Sequence, residues 1–372
     1  MTPPVTRRGD TGATVAEIRD RLGRLGLLPP AEPPVDPASM CFDDDVDVAV
    51  RAFQQQRGLT VDGVVGPQTF RRLEEARWSL GDRVLSFSPT HLVSGDDVLA
   101  LQQRLSGLGY DLGRVDGRFG PRTDTALREF QRSVGADPDG TAGPETFRAL
   151  ARLARTMSGG SSGAGASALR ELHALESLCS GVADKVVVID PGHGGADLGR
   201  SHGELTESVV AGDLASRVEG RLAAIGVQVL LTRAPDSDEG PEESDRAHFA
   251  NDTGADLVLS LHTDAVDSPL PAGCATFFYG DITAGTRSSL GARFAEMVQD
   301  EVCARTDLTD CRTHAKTWDL LRMTRMPAVR IECGYLSSPR DARRLADPAF
   351  RDAVAEGIAA AVVRFFAPVT TD

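Results

Sequence analysis

One stretch of this chain occurs twice. Residues 49–73 read AVRAFQQQRGLTVDGVVGPQTFRRL and residues 126–150 read ALREFQRSVGADPDGTAGPETFRAL; they agree at 13 of 25 positions, without a gap, at a constant offset of 77. Phe53/Phe130, Asp62/Asp139, Gly63/Gly140, Gly66/Gly143 and Pro67/Pro144 all coincide. Self-similarity at a fixed offset marks a repeated structural unit, so the N-terminal part is read as two small copies of one module.

The repeat reaches further toward the N-terminus. Val15, Ile18, Leu22 and Leu25 recur at the same spacing as Val98, Leu101, Leu105 and Leu108, one apolar face of a helix. There the offset is 83, so the first copy carries six extra residues, expected in the Pro-rich stretch Pro29–Pro37. Each module then reads helix, loop, helix, Asp-Gly turn, helix, with Gly-Pro at the start of the last helix. The FQ, DGxxG and T-x-x-x-L elements resemble tandem peptidoglycan-binding modules, and residues 115–131 (VDGRFGPRTDTALREFQ) match closely. The first copy departs from the pattern, with Phe42-Asp43-Asp44-Asp45 in place of Phe-Gly-Pro-Arg.

The remainder is different in kind. Residues 157–168, MSGGSSGAGASA, read as a flexible linker. Beyond it short β-type runs alternate with helical segments: Lys185–Asp190, Gly226–Thr232, Asp256–His262, Cys274–Tyr279 and Ala328–Cys333 read as strands, with helices near Ser208–Ala224, Arg287–Arg305 and on to Phe366. That alternation predicts an α/β domain with a mostly parallel sheet flanked by helices, preceded by two small all-α modules. The chemistry of such sheets gathers at the carboxyl ends of the strands. Charge divides in the same way. The net charge of −14 over 372 residues is −2 across residues 1–160 and −12 across 161–372. This acidity argues against nucleic acid as a partner. No run approaches the 18 or so apolar residues of a transmembrane helix.

His193 in DPGHGG, Glu207 in GELTES and His262 in SLHTD fall at or near predicted strand ends. Two imidazoles and one carboxylate suit Zn²⁺ and leave its fourth position open. Glu332, at the end of the strand AVRIE, is a carboxylate able to take a proton from water and pass it to a leaving amine. Each residue taken alone has an ordinary structural reading, as cap, turn or surface group. Arg330 and Trp318 read as ion-pair and packing residues at least as readily as substrate contacts. In this order, and with PAVRIECGYLSS at Pro327–Ser338, the set resembles the zinc-dependent N-acetylmuramoyl-L-alanine amidases of the amidase-3 type over about Lys185–Phe366. The resemblance implies His193, Glu207 and His262 as metal ligands, Glu332 as the catalytic residue, and Asp190 and Asp197 as groups that orient the ligands. Tyr335, Ser338 and Cys333 depart from the usual Phe, Asn and Ile, and none of these removes a ligand.

The expected organisation is a peptidoglycan-binding-like module at 9–77, a second at 90–156, a linker and connecting segment at 157–180, and a zinc amidase-like domain at 181–367. The resemblance implies hydrolysis of the N-acetylmuramoyl-L-alanine amide of peptidoglycan or its precursors, with the stem peptide or a lipid-linked precursor as ligand. The N-terminal sequence MTPPVTRRGD precedes no apolar h-region, so a cytoplasmic location is expected, with the wall reached only by non-standard export. The acidic balance is awkward for clinging to an anionic wall and adds to that expectation. The missing h-region also motivates an alternative: a cytoplasmic regulatory or binding protein of peptidoglycan synthesis on an amidase scaffold, with soluble or lipid-linked precursors or other proteins of wall synthesis as its ligands. Domain order and the lack of a secretion signal resemble actinobacterial members of the family. In that alternative Thr370 and Thr371 of the tail are candidate phosphorylation sites, each adding about −1.5 to −2 charge.

Overall fold

In a computed structural model, residues 5–29, 37–156, 178–235, 237, 240–281 and 285–368 are described. The chain divides into two compact units, Met1–Leu169 and Arg170–Asp372. The six extra residues of the first repeat, the 157–168 linker, and Thr370 and Thr371 lie wholly or mainly outside the described residues.

The first unit holds both modules. Module one comprises α1 (Ala13–Arg24), α2 (Asp44–Gln56) and α3 (Pro67–Glu75). Module two comprises α4 (Asp96–Gly107), α5 (Pro121–Ser133) and α6 (Pro144–Thr156), with a two-residue strand pair, β1 (Leu85–Ser86) and β2 (Thr141–Ala142). Each has its own core. Val15, Ile18, Leu22, Val46, Val50 and Phe53 fill the first, and Val98, Leu101, Leu105, Leu127 and Phe130 the second.

A buried glutamine ties each repeated turn. Gln54 Oε1 accepts from the backbone N–H of Asp62 and Gly63 at 3.1 and 2.9 Å, while its Nε2 donates to Asp62 Oδ1 at 2.8 Å and Val64 O at 3.0 Å. Gln131 repeats this bracket on Asp139-Gly140, and Gln102 builds a third on Asp116-Gly117. In module one the third bracket is replaced by an ion pair. Arg19 stands at the position of Gln102, and its Nη1 donates to Asp43 Oδ2 at 2.7 Å. Asp43 also caps α2 by accepting from Val46 N–H at 3.0 Å. The departure at Phe42–Asp45 therefore keeps the helix start while changing the turn before it.

The second unit is a three-layer α/β domain. Its strands are β3 (Val186–Pro191), β4 (Ser201–His202), β5 (Leu205–Thr206), β6 (Gln228–Leu231), β7 (Leu257–Asp264), β8 (Cys274–Asp281), β9 (Thr286–Arg287), β10 (Asp310–Lys316) and β11 (Ala328–Tyr335). Its helices are α7 (Glu207–Ala223), α8 (Glu243–Asp252), α9 (Ser289–Arg305), α10 (Asp319–Met323), α11 (Pro339–Ala346) and α12 (Pro348–Phe366). The main sheet runs β10-β8-β11-β7-β3-β6, with β9 added on β8, and β4 and β5 form a separate hairpin. Neighbours along that path are parallel except β8 and β11.

Alternation sorts the side chains between the two faces. Val187, Ile189, Leu257, Leu259, Leu261, Val329 and Ile331 pack against α7, α9 and α12. Val188, Val258 and Ala328 face α8 and α10. β10 and α8 carry no signal in the chain pattern. DCRTHAK is a polar edge strand paired on one side, and ESDRAHFAND buries only Arg246, Ala247 and Ala250.

Candidate metal centre

The even-numbered residues of β7 and β11 share the face opposite the main core, and the register pairs Glu332 with His262 directly. The two side chains therefore stand on neighbouring parallel strands, about 4.8 Å apart. β3 ends at Pro191, and the DPGHGG loop carries His193 back over the end of the sheet. Glu207 opens α7, where the helix N-terminus favours a carboxylate.

These elements bring His193, Glu207 and His262 together, with one ligand atom of each within 4.8 Å of the others. Glu207 lies between the two rings: Oε2 is 3.1 Å from His193 Nε2, and Oε1 is 2.8 Å from His262 Nδ1. The carboxylate also accepts the backbone N–H of Arg200 at 3.0 Å and of Thr263 at 3.1 Å. Burial opposes its charge, but the two imidazoles outweigh burial and hold Glu207 well below the usual carboxylate range. Burial, aided by the charge of Arg330, pushes His262 down to about 4. Burial also disfavours charge on His193, yet Glu207 and Asp197 together raise it. His262 is thus held neutral at pH 7, the form in which a ring nitrogen can ligate a metal.

Two close approaches make this cluster. A Cβ on Gly192 would lie 2.3 Å from His262 Cε1. A Cβ on Gly199 would lie 2.7 Å from both Glu207 Oε2 and His193 Cδ2, and Gly199 itself has φ 66°. Only glycine lets the backbone come so near.

His193 has φ 57°, uncommon for a non-glycine residue and worth of order 1–3 kcal/mol in strain. Two buried arginines hold the loop. Arg246 donates to His193 O at 2.7 Å, Pro191 O at 2.8 Å and Asp190 Oδ1 at 2.6 Å. Arg233 donates to His193 O at 2.7 Å, Gly192 O at 3.0 Å and Ser208 O at 3.1 Å. Sequence reasoning passed over both, because 38 of the 40 basic residues are arginine and none stands out.

The two flanking aspartates sit differently. Asp197 touches a ligand candidate, its Oδ2 lying 2.7 Å from His193 Nδ1. Asp190 touches none. It receives Arg246, Ser260 Oγ at 2.7 Å and Thr232 Oγ1 at 2.5 Å, and reaches His193 only through Arg246.

Glu332 is buried beside the cluster. Arg330 donates to its Oε1 through Nε at 2.8 Å, with Nη2 at 2.7 Å from the same oxygen. Its Oε2 has no hydrogen-bond partner among the described residues. Burial raises Glu332 to about 7, and the nearby charges of Glu207 and Asp264 add to this against the pull of Arg330. A carboxyl poised there can both accept and return a proton near neutrality. Two imidazoles and a carboxylate converging beside an unsatisfied buried oxygen fit a divalent metal with an open coordination position.

Both parts of the chain resemble known proteins. The amidase-3 family, described as N-acetylmuramoyl-L-alanine amidase, matches residues 187–364. The peptidoglycan-binding domain family matches residues 11–73 and 94–150. The N-acetylmuramoyl-L-alanine amidase CwlM of Mycobacterium tuberculosis is 44% identical over 368 residues, 97% of this chain and 89% of that protein. The germination-specific N-acetylmuramoyl-L-alanine amidase of Bacillus subtilis is 32% identical over 197 residues, 49% of this chain and 80% of that protein. Among solved structures, the N-acetylmuramoyl-L-alanine amidase AmiC2 of Nostoc punctiforme aligns over 50% of this chain and 98% of its own, with 31% identity and a TM-score of 0.45. With its amidase-3 domain and two peptidoglycan-binding modules, the chain belongs to the N-acetylmuramoyl-L-alanine amidases of the amidase-3 family.

Proposed function

We propose that this amidase is zinc-dependent and cleaves the amide between the lactyl group of N-acetylmuramic acid and the L-alanine of the stem peptide. His193, Glu207 and His262 would hold the ion. When bound, Zn²⁺ supplies Lewis acidity to polarise the amide carbonyl and to acidify water. Glu332 handles the proton. Its Oε2 accepts one from the attacking water as the C–O bond forms, then delivers it to the alanine nitrogen as the C–N bond breaks. The products are a lactyl carboxylate and a peptide amine. The single observation that carries this reading is the buried Glu332 Oε2, without a hydrogen-bond partner among the described residues, on the same sheet face as His262, one strand away.

The substrate is peptidoglycan or a precursor bearing the same amide. The two N-terminal modules would hold the polymer and raise its concentration near the site without altering the chemistry. The test is metal analysis of the purified protein, followed by hydrolysis of a soluble muramoyl peptide by wild type and Glu332→Gln. Release of the stem peptide by the zinc-loaded wild type alone supports the reading. Protein that takes up no zinc, or that releases no peptide when loaded, defeats it.

A further inference from the structure

Arg330 is committed on several sides. Residues 330 and 332 lie two apart on β11, so both side chains project from one face. The guanidinium places Nε and Nη2 on one oxygen of Glu332, at 2.8 and 2.7 Å. Its Nη1 reaches Glu243 Oε1 at 3.4 Å, from the first turn of α8. The guanidinium carbon stands 4.6 Å from the centre of the Trp318 ring, just before α10. Trp318 in turn packs on Phe277 of β8, with centroids 4.7 Å apart. Helix, strand and aromatic wall thus hold the arginine from the side away from Glu332.

The consequence falls on the carboxylate. The Nε–H donates to Oε1 and the charged Nη2 lies 2.7 Å from the same oxygen, while Oε2 is buried and receives no hydrogen bond among the described residues. A planar fork can saturate one oxygen in a fixed direction; a lysine ammonium would provide a single point of contact. We propose that Arg330, braced by Glu243 and Trp318, is a positioning residue: it fixes the side-chain conformation of Glu332 and leaves Oε2 as the only oxygen open toward His193, Glu207 and His262. Arg330 touches neither substrate nor metal in this role. The kinetic part of its test rests on the zinc amidase reading, and the structural part does not.

The experiment compares wild type, Arg330→Met and Arg330→Lys on a soluble muramoyl peptide, with zinc content measured for each. The expected result is a fall in kcat of about a hundredfold for Arg330→Met, the scale of a misplaced catalytic group, with KM and zinc content little changed. Arg330→Lys recovers part of the loss. Crystal structures of wild type and Arg330→Met read the positioning directly: one Glu332 conformer in the first, a displaced or divided one in the second. Glu243→Gln, which loosens the brace without altering β11, gives a smaller loss of kcat in the same sense and serves if Arg330→Met does not fold. The proposal is overturned if Arg330→Met keeps its kcat, if KM rises alone (a substrate-carboxylate contact), if Arg330→Lys equals wild type, or if Glu332 is unmoved in the variant crystals. If wild type hydrolyses nothing, the amidase reading fails, and the Glu332 conformers still decide the role of Arg330.

Discussion

At the scale of single residues the site separates into groups that can hold a metal and groups that can move a proton. Glu332→Gln should lower hydrolysis by about 10²–10⁴ while zinc content stays at the wild-type level; loss of zinc in that variant would make Glu332 a ligand instead. His262→Ala should do the reverse at the level of the metal, with zinc uptake falling along with activity. Chelation should remove both activity and part of the thermal stability, because a ligand at 100 times its dissociation constant contributes about 2.7 kcal/mol. Asp190 gives a stability prediction. Burial opposes its charge, yet Arg246, Ser260 and Thr232 outweigh burial and hold its carboxyl below the ordinary aspartate range. A lowered folded value means that this contribution is fully present above about pH 4 and is lost as the pH falls through the lowered value. Asp190→Asn leaves Arg246 buried without its counter-charge and should cost about 3 kcal/mol in denaturant unfolding, with most of the difference gone at strongly acidic pH. The ligand candidates were legible along the chain because histidines are rare in it, seven in all, and two fall in glycine-rich or strand-end motifs. Arg233 and Arg246 were not legible, since their role depends on carbonyls that only the folded loop presents.

At the scale of elements the modules show how a short pattern carries a fold. The glutamine brackets need a helix, a turn and an Asp-Gly pair at fixed spacing, so the repeat could be read directly. Gln131→Ala would leave the Gly140 N–H without its side-chain acceptor and should destabilise module two by about 1–3 kcal/mol, visible as faster amide exchange around Asp139-Gly140 and no change around Asp62-Gly63. Gly140→Ala should be worse than a usual glycine substitution: φ is 73°, and the new Cβ would lie 2.1 Å from Asp124 Oδ1. The β-elements of the second unit were legible where they are apolar on both faces, as in Val186–Ile189 and Leu257–Leu259. β10 was missed for the opposite reason. An edge strand can be polar along its whole length, because pairing on one side suffices. The reversed direction of β8 against β11 leaves no mark in either segment.

At the scale of the whole chain, a linker-type sequence lies between two units of different charge, with net −2 over residues 1–160 and −12 over 161–372. No helix among the described residues is long and apolar enough to cross a membrane. If the modules tether polymer, protein lacking residues 1–156 should match the full chain on a soluble muramoyl peptide and fall behind it on dilute insoluble peptidoglycan. Equal rates on both substrates would remove tethering from the account. The sequence by itself determined the repeated modules and the α/β character of the second half, because these rest on local periodicity, and its short motifs nominated His193, Glu207, His262 and Glu332 as candidates. Only the tertiary structure decided that Glu332 pairs in register with His262 and that Arg233 and Arg246 hold the loop of His193. Those facts depend on which strands lie side by side and which carbonyls turn inward, and no spacing along one chain encodes either.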